Sequence, residues 1–332
     1  MVGPITSLSS RRDDAQEFRC RLAASDCRSG RAARLEREMS TSSPIVVIDS
    51  GLGGLTVVRA LRAVLPHEDI LYFGDTARLP YGSKTASTVM TFIYQIISYL
   101  LAYEPKHVVI ACNTGTALAL HAVRPIFPRL SISGVIGPGA KAAVAAAGAK
   151  RIPIIGVIAT EATIRSRAYE RAICHRRNHA RLILLPTPLL VPLIEEGRPD
   201  NDPVLRLALE QYLAPFKEKG IDVLVLGCTH YPILREVIGE ILGPQVKVID
   251  SAEQCAQDVV RRLAGKGLLR QTIPAGKECS GGLRTFVTDD PLRFRRLALR
   301  FLGSPIALPT WVSPDELYDR HPAVVFPLGV PA

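Results

Sequence analysis

The chain has 332 residues, 47% hydrophobic and 22% charged, a balance that suits a globular protein with one large core or two modest ones and excludes a disordered, highly charged chain. A net charge of +10 comes from 41 Lys and Arg against 31 Asp and Glu, but aromatic residues make up only 6% and Trp311 is the single tryptophan, so base-stacking platforms for nucleic acid are not indicated. The seven cysteines are odd in number, irregularly spaced and without CxxC, which argues against a disulfide framework or a zinc site and suits a reducing, cytoplasmic setting.

Residues 1–43 are rich in Arg, Ser and Ala and have no periodic apolar face, so they are expected to be a disordered N-terminal extension. The first 38 residues carry eight Arg and six Asp and Glu, a mixture unlike an acid-poor transit peptide, and there is no signal-peptide apolar region. Met39, just before Ser-Thr-Ser-Ser-Pro and the first strand, is the expected natural start. From Pro44 short β-type runs alternate with helical patterns. Ile45–Ile48, Ile70–Phe73 and His107–Ala111 read as strands. Leu55–Val64, Lys84–Tyr103 and 115–124 read as helices. Thr85–Tyr103 lacks charge, but its Thr, Ser and Gln suit a buried helix better than a membrane span.

The order then restarts. Ala140–Ala147 is Ala-rich and helical, Pro153–Ile158 a strand, Glu161–Arg176 a helix and Arg181–Leu185 a strand. Leu182–Ile194 is apolar but interrupted by Pro186, Pro188 and Pro192. Val204–Lys219, Ile233–Ile241 and Ala252–Ala264 read as helices, and Val223–Leu226 and Val246–Ile249 as strands. The alternation predicts an α/β fold of two similar parallel-sheet domains related by pseudo-symmetry, with the active site at their interface. The expected boundaries are 44–137 plus 251–312 for the first domain, 138–250 for the second, and a partly unstructured tail over 313–332.

Two segments read as copies of one device. Val108–Ile110 runs into Ala111-Cys112-Asn113-Thr114, and Val223–Leu226 into Gly227-Cys228-Thr229-His230. Each pattern puts a thiol at a strand's C-terminal end, beside a helix N-terminus whose partly charged N–H groups favour a thiolate. Two such thiols suit a pair of proton-transfer groups, one for each face of a substrate, although a lone cysteine is ordinarily a small buried hydrophobe. Asn113, Thr114 and Thr229 offer hydrogen bonds to a carboxylate. His230 either exchanges a proton with Cys228 or caps a helix. In Asp49-Ser50-Gly51-Leu52-Gly53-Gly54 the spacing fails the dinucleotide fingerprint. The segment is either a carboxylate site with Ser50 and backbone donors or a tight turn capped by Asp49. Gly74-Asp75-Thr76-Ala77-Arg78-Leu79-Pro80-Tyr81-Gly82 is a polar loop suited to a cleft, where Asp75 assists proton transfer, contacts a substrate amine, or caps a turn. Glu195, taken alone, reads as a surface residue near a helix end. A second pair of segments echo each other, 46–51 and 156–161, Val-Val-Ile-Asp-Ser-Gly and Gly-Val-Ile-Ala-Thr-Glu.

Together these motifs, in this order, resemble glutamate racemase, of the cofactor-independent aspartate/glutamate racemase superfamily, over roughly residues 44–305. The resemblance rests on 49–57, 72–82, Ala111-Cys112-Asn113-Thr114 and Gly227-Cys228-Thr229-His230-Tyr231-Pro232. It implies that Cys112 and Cys228 are the catalytic acid/bases, Cys112 deprotonating D-glutamate and Cys228 L-glutamate, assisted by Asp49, Asp75, Glu195 and His230. It implies a glutamate site lined by Asp49, Ser50, Pro80, Tyr81, Gly82, Cys112, Asn113, Thr114, Cys228, Thr229 and His230, with no metal and no cofactor. Thr187 stands where the family often has cysteine, and Gly137 where an acidic residue is common; neither is expected to touch the catalytic set. The implied product, D-glutamate, serves peptidoglycan synthesis in the cytoplasm. The implied partners are the small-molecule substrate and a second copy in a homodimer, without nucleic acid or membrane. Rival readings are an aspartate or hydantoin racemase, a decarboxylase using one of the thiols, an amino-acid-binding protein without catalysis, and a nucleic-acid-binding role drawn from the charge.

Overall fold

In the computed structural model, which describes residues 40–270 and 280–320, the apolar runs form two all-parallel sheets. The first six-stranded sheet contains β1 (Ile45–Asp49), β2 (Ile70–Gly74), β3 (His107–Ile110), β4 (Ile132–Gly134), β9 (Leu283–Val287) and β10 (Thr310–Trp311), in the order β10-β9-β2-β1-β3-β4. The second contains β5 (Ile154–Ala159), β6 (Arg181–Pro186), β7 (Val223–Gly227) and β8 (Lys247–Asp250), in the order β6-β5-β7-β8. Every neighbouring pair is parallel.

Both faces of the first sheet are covered, which is why β1 is apolar at four successive positions and buried at all five. Ile45 and Val47 enter one apolar cluster, with Tyr72 and Val109. Val46 and Ile48 enter another, with Phe73, Val108 and Ile110. Helix α1 (Leu55–Val64) covers the first face. Helix α2 (Ala86–Leu100) covers the second, entered through Thr85, whose side chain accepts from Thr88 N at 3.3 Å. Ala86–Tyr103 is the one stretch among the described residues long and apolar enough to cross a membrane, but Val89, Ile93, Ile96 and Leu100 are packed in the protein core.

After α3 (Asn113–Val123) and β4, helix α4 (Ile136–Ala146) leads to the second sheet. The single helix expected over 161–176 is two, α5 (Glu161–Arg165) and α6 (Ala168–Cys174), because Arg167 at φ 56° breaks the helical path. Next come α7 (Leu190–Glu195), α8 (Pro203–Lys219) and α9 (Arg235–Leu242). Helix α10 (Ser251–Ala264) packs on both α1 and α4, and so joins the two sets of elements.

The sequence pattern missed β4, β9, β10 and α11 (Pro291–Leu302). The arginines of the run 293–300 lie outside the buried side of α11, which Phe294, Ala298, Phe301 and Leu302 form at helical spacing. Within the tail, α12 (Pro314–Arg320) buries Leu317 and packs on α2. Of the expected extension over 1–43, residues 1–39, with Met39, lie outside the described residues, as do residues 321–332. Residues 41–43 form a turn whose Thr41 carbonyl accepts from Lys106 Nζ at 2.6 Å. Among the described residues Cys112, Cys174, Cys228 and Cys255 are free thiols; Cys20, Cys27 and Cys279 lie outside them.

Candidate active site

In open parallel sheets the strand C-termini leave backbone groups and loops free to meet a ligand. Here the C-terminal ends of strands from both sheets contribute to one cavity of about 120 Å³. Ser50 after β1, Cys112 after β3, Thr160 after β5, Thr187 after β6 and Cys228 after β7 all line it. Of the predicted substrate-site residues, Ser50, Pro80, Tyr81, Gly82, Cys112, Asn113, Thr114, Cys228, Thr229 and His230 are on its wall. Asp49, Asp75 and Glu195 are not; they stand behind it. Among the described residues no group of His, Cys, Asp and Glu is arranged to hold a metal ion.

Cys112 is the N-cap of α3, where its Sγ accepts from Gly115 N at 3.4 Å and donates to Ser50 Oγ at 3.6 Å. The helix N-terminus was expected to favour the thiolate. Instead burial, and then the Asp49 carboxylate, push the Cys112 thiol up to about 12, and the opposing pull of Gly115 N–H and Ser50 is too small to reverse this. Iodoacetamide labelling of the ligand-free protein is expected to follow. At pH 8 a thiol with this pKa is ionised to about one part in 10⁴, so Cys112 stays largely unlabelled, and its rate climbs about tenfold per pH unit up to pH 10. Mass spectrometry of the Cys112 peptide measures this; labelling at pH 8 as fast as a free thiol contradicts it.

The second cysteine segment is not a copy of the first. Cys228 is followed by a 3-10 turn at Tyr231–Leu234, and the next α-helix begins only at Arg235. Its polar partner is instead His230, whose Nδ1 is 3.7 Å from Sγ and whose Nε2 is 2.8 Å from Glu195 Oε1. His230 stands at the N-cap position of that 3-10 turn but its side chain makes no capping bond, and Glu195, at the end of α7, is a partner of a buried histidine rather than a free surface residue. Burial works against a charged imidazole here. The hydrogen bonds and charges of Cys228 and Glu195 outweigh it and hold His230 well above the usual histidine range.

Asp49 closes its own turn: Oδ2 accepts from Gly51 N at 3.0 Å, and Oδ1 accepts from Thr229 Oγ1 at 3.3 Å. The second bond ties β1 of one sheet to the loop after β7 of the other. Burial raises the Asp49 carboxyl above its ordinary value, against the pull of His230 and the Gly51 and Gly54 N–H groups. Gly53 permits this approach, since a Cβ there would lie 2.3 Å from Thr229 Oγ1 and 2.6 Å from His230 Nδ1. Asp75 is fully buried and engaged: Arg78 Nε donates to it at 2.8 Å, Thr288 Oγ1 at 3.0 Å, and the Tyr81 hydroxyl also donates. With those partners it fixes the loop that carries Pro80, Tyr81 and Gly82, and it has no contact with the cavity that suits proton transfer.

Asn113 presents an unusual group. Its Oδ1 accepts from Tyr169 OH at 2.8 Å, while its buried Nδ2 has no partner in the protein. An unpaired buried donor costs about 1–3 kcal/mol, and this one belongs to a residue that lines the cavity. Thr114 meets Thr160 at 2.9 Å across the two sets of elements. Sequence reasoning missed Ser83, Thr160, Glu161, Pro188, Val191 and Pro192 on the wall. Thr160 was findable, because it occupies the position of Ser50 in the echo between 46–51 and 156–161. Thr187, expected away from the catalytic set, shares the cavity with it and meets Tyr231 OH at 2.7 Å. Gly137 lies on α4 with open space around it.

The family model described as Asp/Glu/Hydantoin racemase matches residues 55–259. A protein of Chlorobaculum tepidum named glutamate racemase is 44% identical over 271 residues, covering 82% of this chain and 96% of its own. The crystal structure of glutamate racemase from Francisella tularensis in complex with D-glutamate has a TM-score of 0.74 at 38% identity, covering 82% of this chain and 98% of its own. Glutamate racemase isoform RacE1 of Bacillus anthracis has a TM-score of 0.76 at 35% identity, covering 82% of this chain and 99% of its own. Matches of this extent, on a chain whose strands carry paired thiols to one cavity, establish that it belongs to the glutamate racemase family, within the aspartate, glutamate and hydantoin racemases.

Proposed function

We propose that the protein interconverts L-glutamate and D-glutamate, with Cys112 and Cys228 as the two acid/bases and without a cofactor. The observation that carries this reading is the pair of free thiols, one from each sheet, on the wall of a single small cavity. Racemisation removes the α-proton from one face and returns a proton to the other, so one sulfur starts as thiolate and the other as thiol. Cys228 abstracts from L-glutamate and Cys112 from D-glutamate, and the roles exchange with the direction of reaction.

The α-proton is very weakly acidic, so the site must favour the carbanion-like transition state through donors already in place. Asn113 Nδ2, the Thr114 hydroxyl and the N-terminus of α3 supply them around the substrate carboxylate. The high pKa of Cys112 fits a thiol that waits as the acid. A substrate ammonium beside it favours the thiolate, as any nearby cation does. His230, held between Cys228 and Glu195, steadies the opposite thiolate. Asp49 and Asp75 act by positioning, because each is spent on protein partners behind the wall, and Glu195 acts through His230, to which it is hydrogen-bonded. The product supplies peptidoglycan synthesis in the cytoplasm, and a homodimer is the expected assembly.

The test is incubation with L-glutamate in D2O, with no added cofactor, followed by chiral chromatography and mass spectrometry. D-Glutamate carrying one deuterium at Cα is the expected product. D-Glutamate without the label removes solvent-exchanging thiols from the mechanism. A panel of aspartate and hydantoins separates the rival racemases.

A further inference from the structure

A second cleft, also of about 120 Å³, opens on the far side of Glu195. Thr76, Leu79, Arg293 and Leu297 help to line it, and so does Glu195 itself, whereas His230 and Cys228 line the substrate cavity. The 2.8 Å hydrogen bond from His230 Nε2 to Glu195 Oε1 therefore crosses the partition between the two spaces. That partition is thin because Gly51 has no side chain; a Cβ there would stand 3.3 Å from both Glu195 Oε1 and Leu79 Cδ2. The Glu195 side chain is 16% exposed and that of His230 only 4%. Arg293 Nη2 donates to the Glu195 carbonyl at 3.4 Å and holds the end of α7 against α11. The Cys112 side is built differently. Its thiol meets Ser50, which lines the same cavity as the thiol, and the carboxylate behind it, Asp49, is fully buried.

We propose that the second cleft is a proton port that sets the charge of His230 while substrate occupies the other cavity. The inference rests on the two-cysteine reading, since that charge matters to racemisation through Cys228. The step is a proton exchange. The Nε2–H bond of the imidazolium breaks, its electron pair stays on nitrogen, and the proton bonds to Oε1 of the Glu195 carboxylate. The acid so formed gives the proton to water in the cleft and is a carboxylate again. One proton has left, and the imidazole has lost one positive charge; the reverse path restores it. The imidazole faces Cys228 on one side and Glu195 on the other, with Asp49 nearby. Asp289, Asp290 and Arg293 border the outer end of the port. Cys228 thus gains or loses its counter-cation without any opening of the substrate cavity.

The test uses the full chain labelled with 15N-histidine, with the ring N–H signal of His230 assigned by its loss in His230→Gln. Exchange of Nε2–H with water is measured by NMR with and without saturating D-glutamate. The rate is expected to change little on saturation. It is expected to slow about tenfold or more in Glu195→Gln, which keeps an acceptor oxygen but takes up no proton. It is expected to slow comparably in Leu297→Trp, which fills the cleft without touching the pair; Leu297→Phe replaces it if the larger side chain prevents folding. Exchange that stops when D-glutamate saturates, or that is unchanged in the folded Leu297 variant, overturns the port. Saturation is read from chemical shifts and racemisation from chiral analysis. A protein that binds and racemises no glutamate therefore overturns the racemase reading separately.

Discussion

Replacing either Cys112 or Cys228 by alanine is expected to abolish racemisation in both directions, lowering kcat by at least about 10²–10⁴. Each direction uses both sulfurs, one to take the α-proton and one to return a proton, so neither thiol is spare. The two losses will not add, because the groups act on one transition state and removing either already disables the whole. The protein itself should survive both changes. Each cysteine is small, and the Sγ contacts are a 3.4 Å bond from Gly115 N, a 3.6 Å bond to Ser50 Oγ and a 3.7 Å approach to His230 Nδ1, which are weak sulfur hydrogen bonds. Steady-state rates with each enantiomer, beside an unfolding curve, measure both points. Full activity in either alanine variant removes that residue from the chemistry.

Lys106→Met is expected to destabilise the fold by about 3–5 kcal/mol, the usual consequence of leaving one member of a buried ion pair alone. Lys106 is fully buried, and its ammonium has three partners for its three hydrogens. They are the Glu68 carboxylate, Thr41 O at 2.6 Å and Leu268 O at 3.0 Å. Glu68 is 3% exposed and accepts through its other oxygen from Arg270 N at 2.9 Å. One ammonium therefore pins the residues before β1, the approach to β2 and the segment after α10. Without it the carboxylate stays buried and uncompensated. The double variant Lys106→Met/Glu68→Gln should recover part of the loss, since no lone charge remains. Urea unfolding midpoints of the three proteins test this, and a single variant as stable as the parent contradicts it.

Much of the architecture is legible in the order of Val- and Ile-rich runs, because strands buried on both faces must be apolar at successive positions. The missed pieces are those where that rule weakens. Strand β4 has only three residues, too few for a pattern, and β10 has two, both exposed. Helix α11 was hidden by its arginines, which occupy the solvent side of a helix whose Phe and Leu residues keep helical spacing. In the site, residue types at strand ends located the cavity wall well. They did not separate residues on the wall from residues behind it, since Asp49, Asp75 and Glu195 look as reactive in sequence as Ser50 or Thr114. That distinction depends on partners far along the chain, such as Thr288 for Asp75 and His230 for Glu195. The expected thiolate at Cys112 failed for a related reason. A helix N-terminus is a local feature, but the depth of burial that opposes it is set by the whole fold.

The strand order of the first sheet bears on how the protein is made. β2 has β1 on one side, but its other neighbour, β9, is translated only after the whole second sheet. While the ribosome completes that sheet, the nascent chain carries one open row of β2 amides and carbonyls, the kind of edge that recruits other extended chains. Arrival of 283–287 closes the row. Synthesis that halts after β8 should therefore yield a fragment that depends on chaperones and aggregates without them.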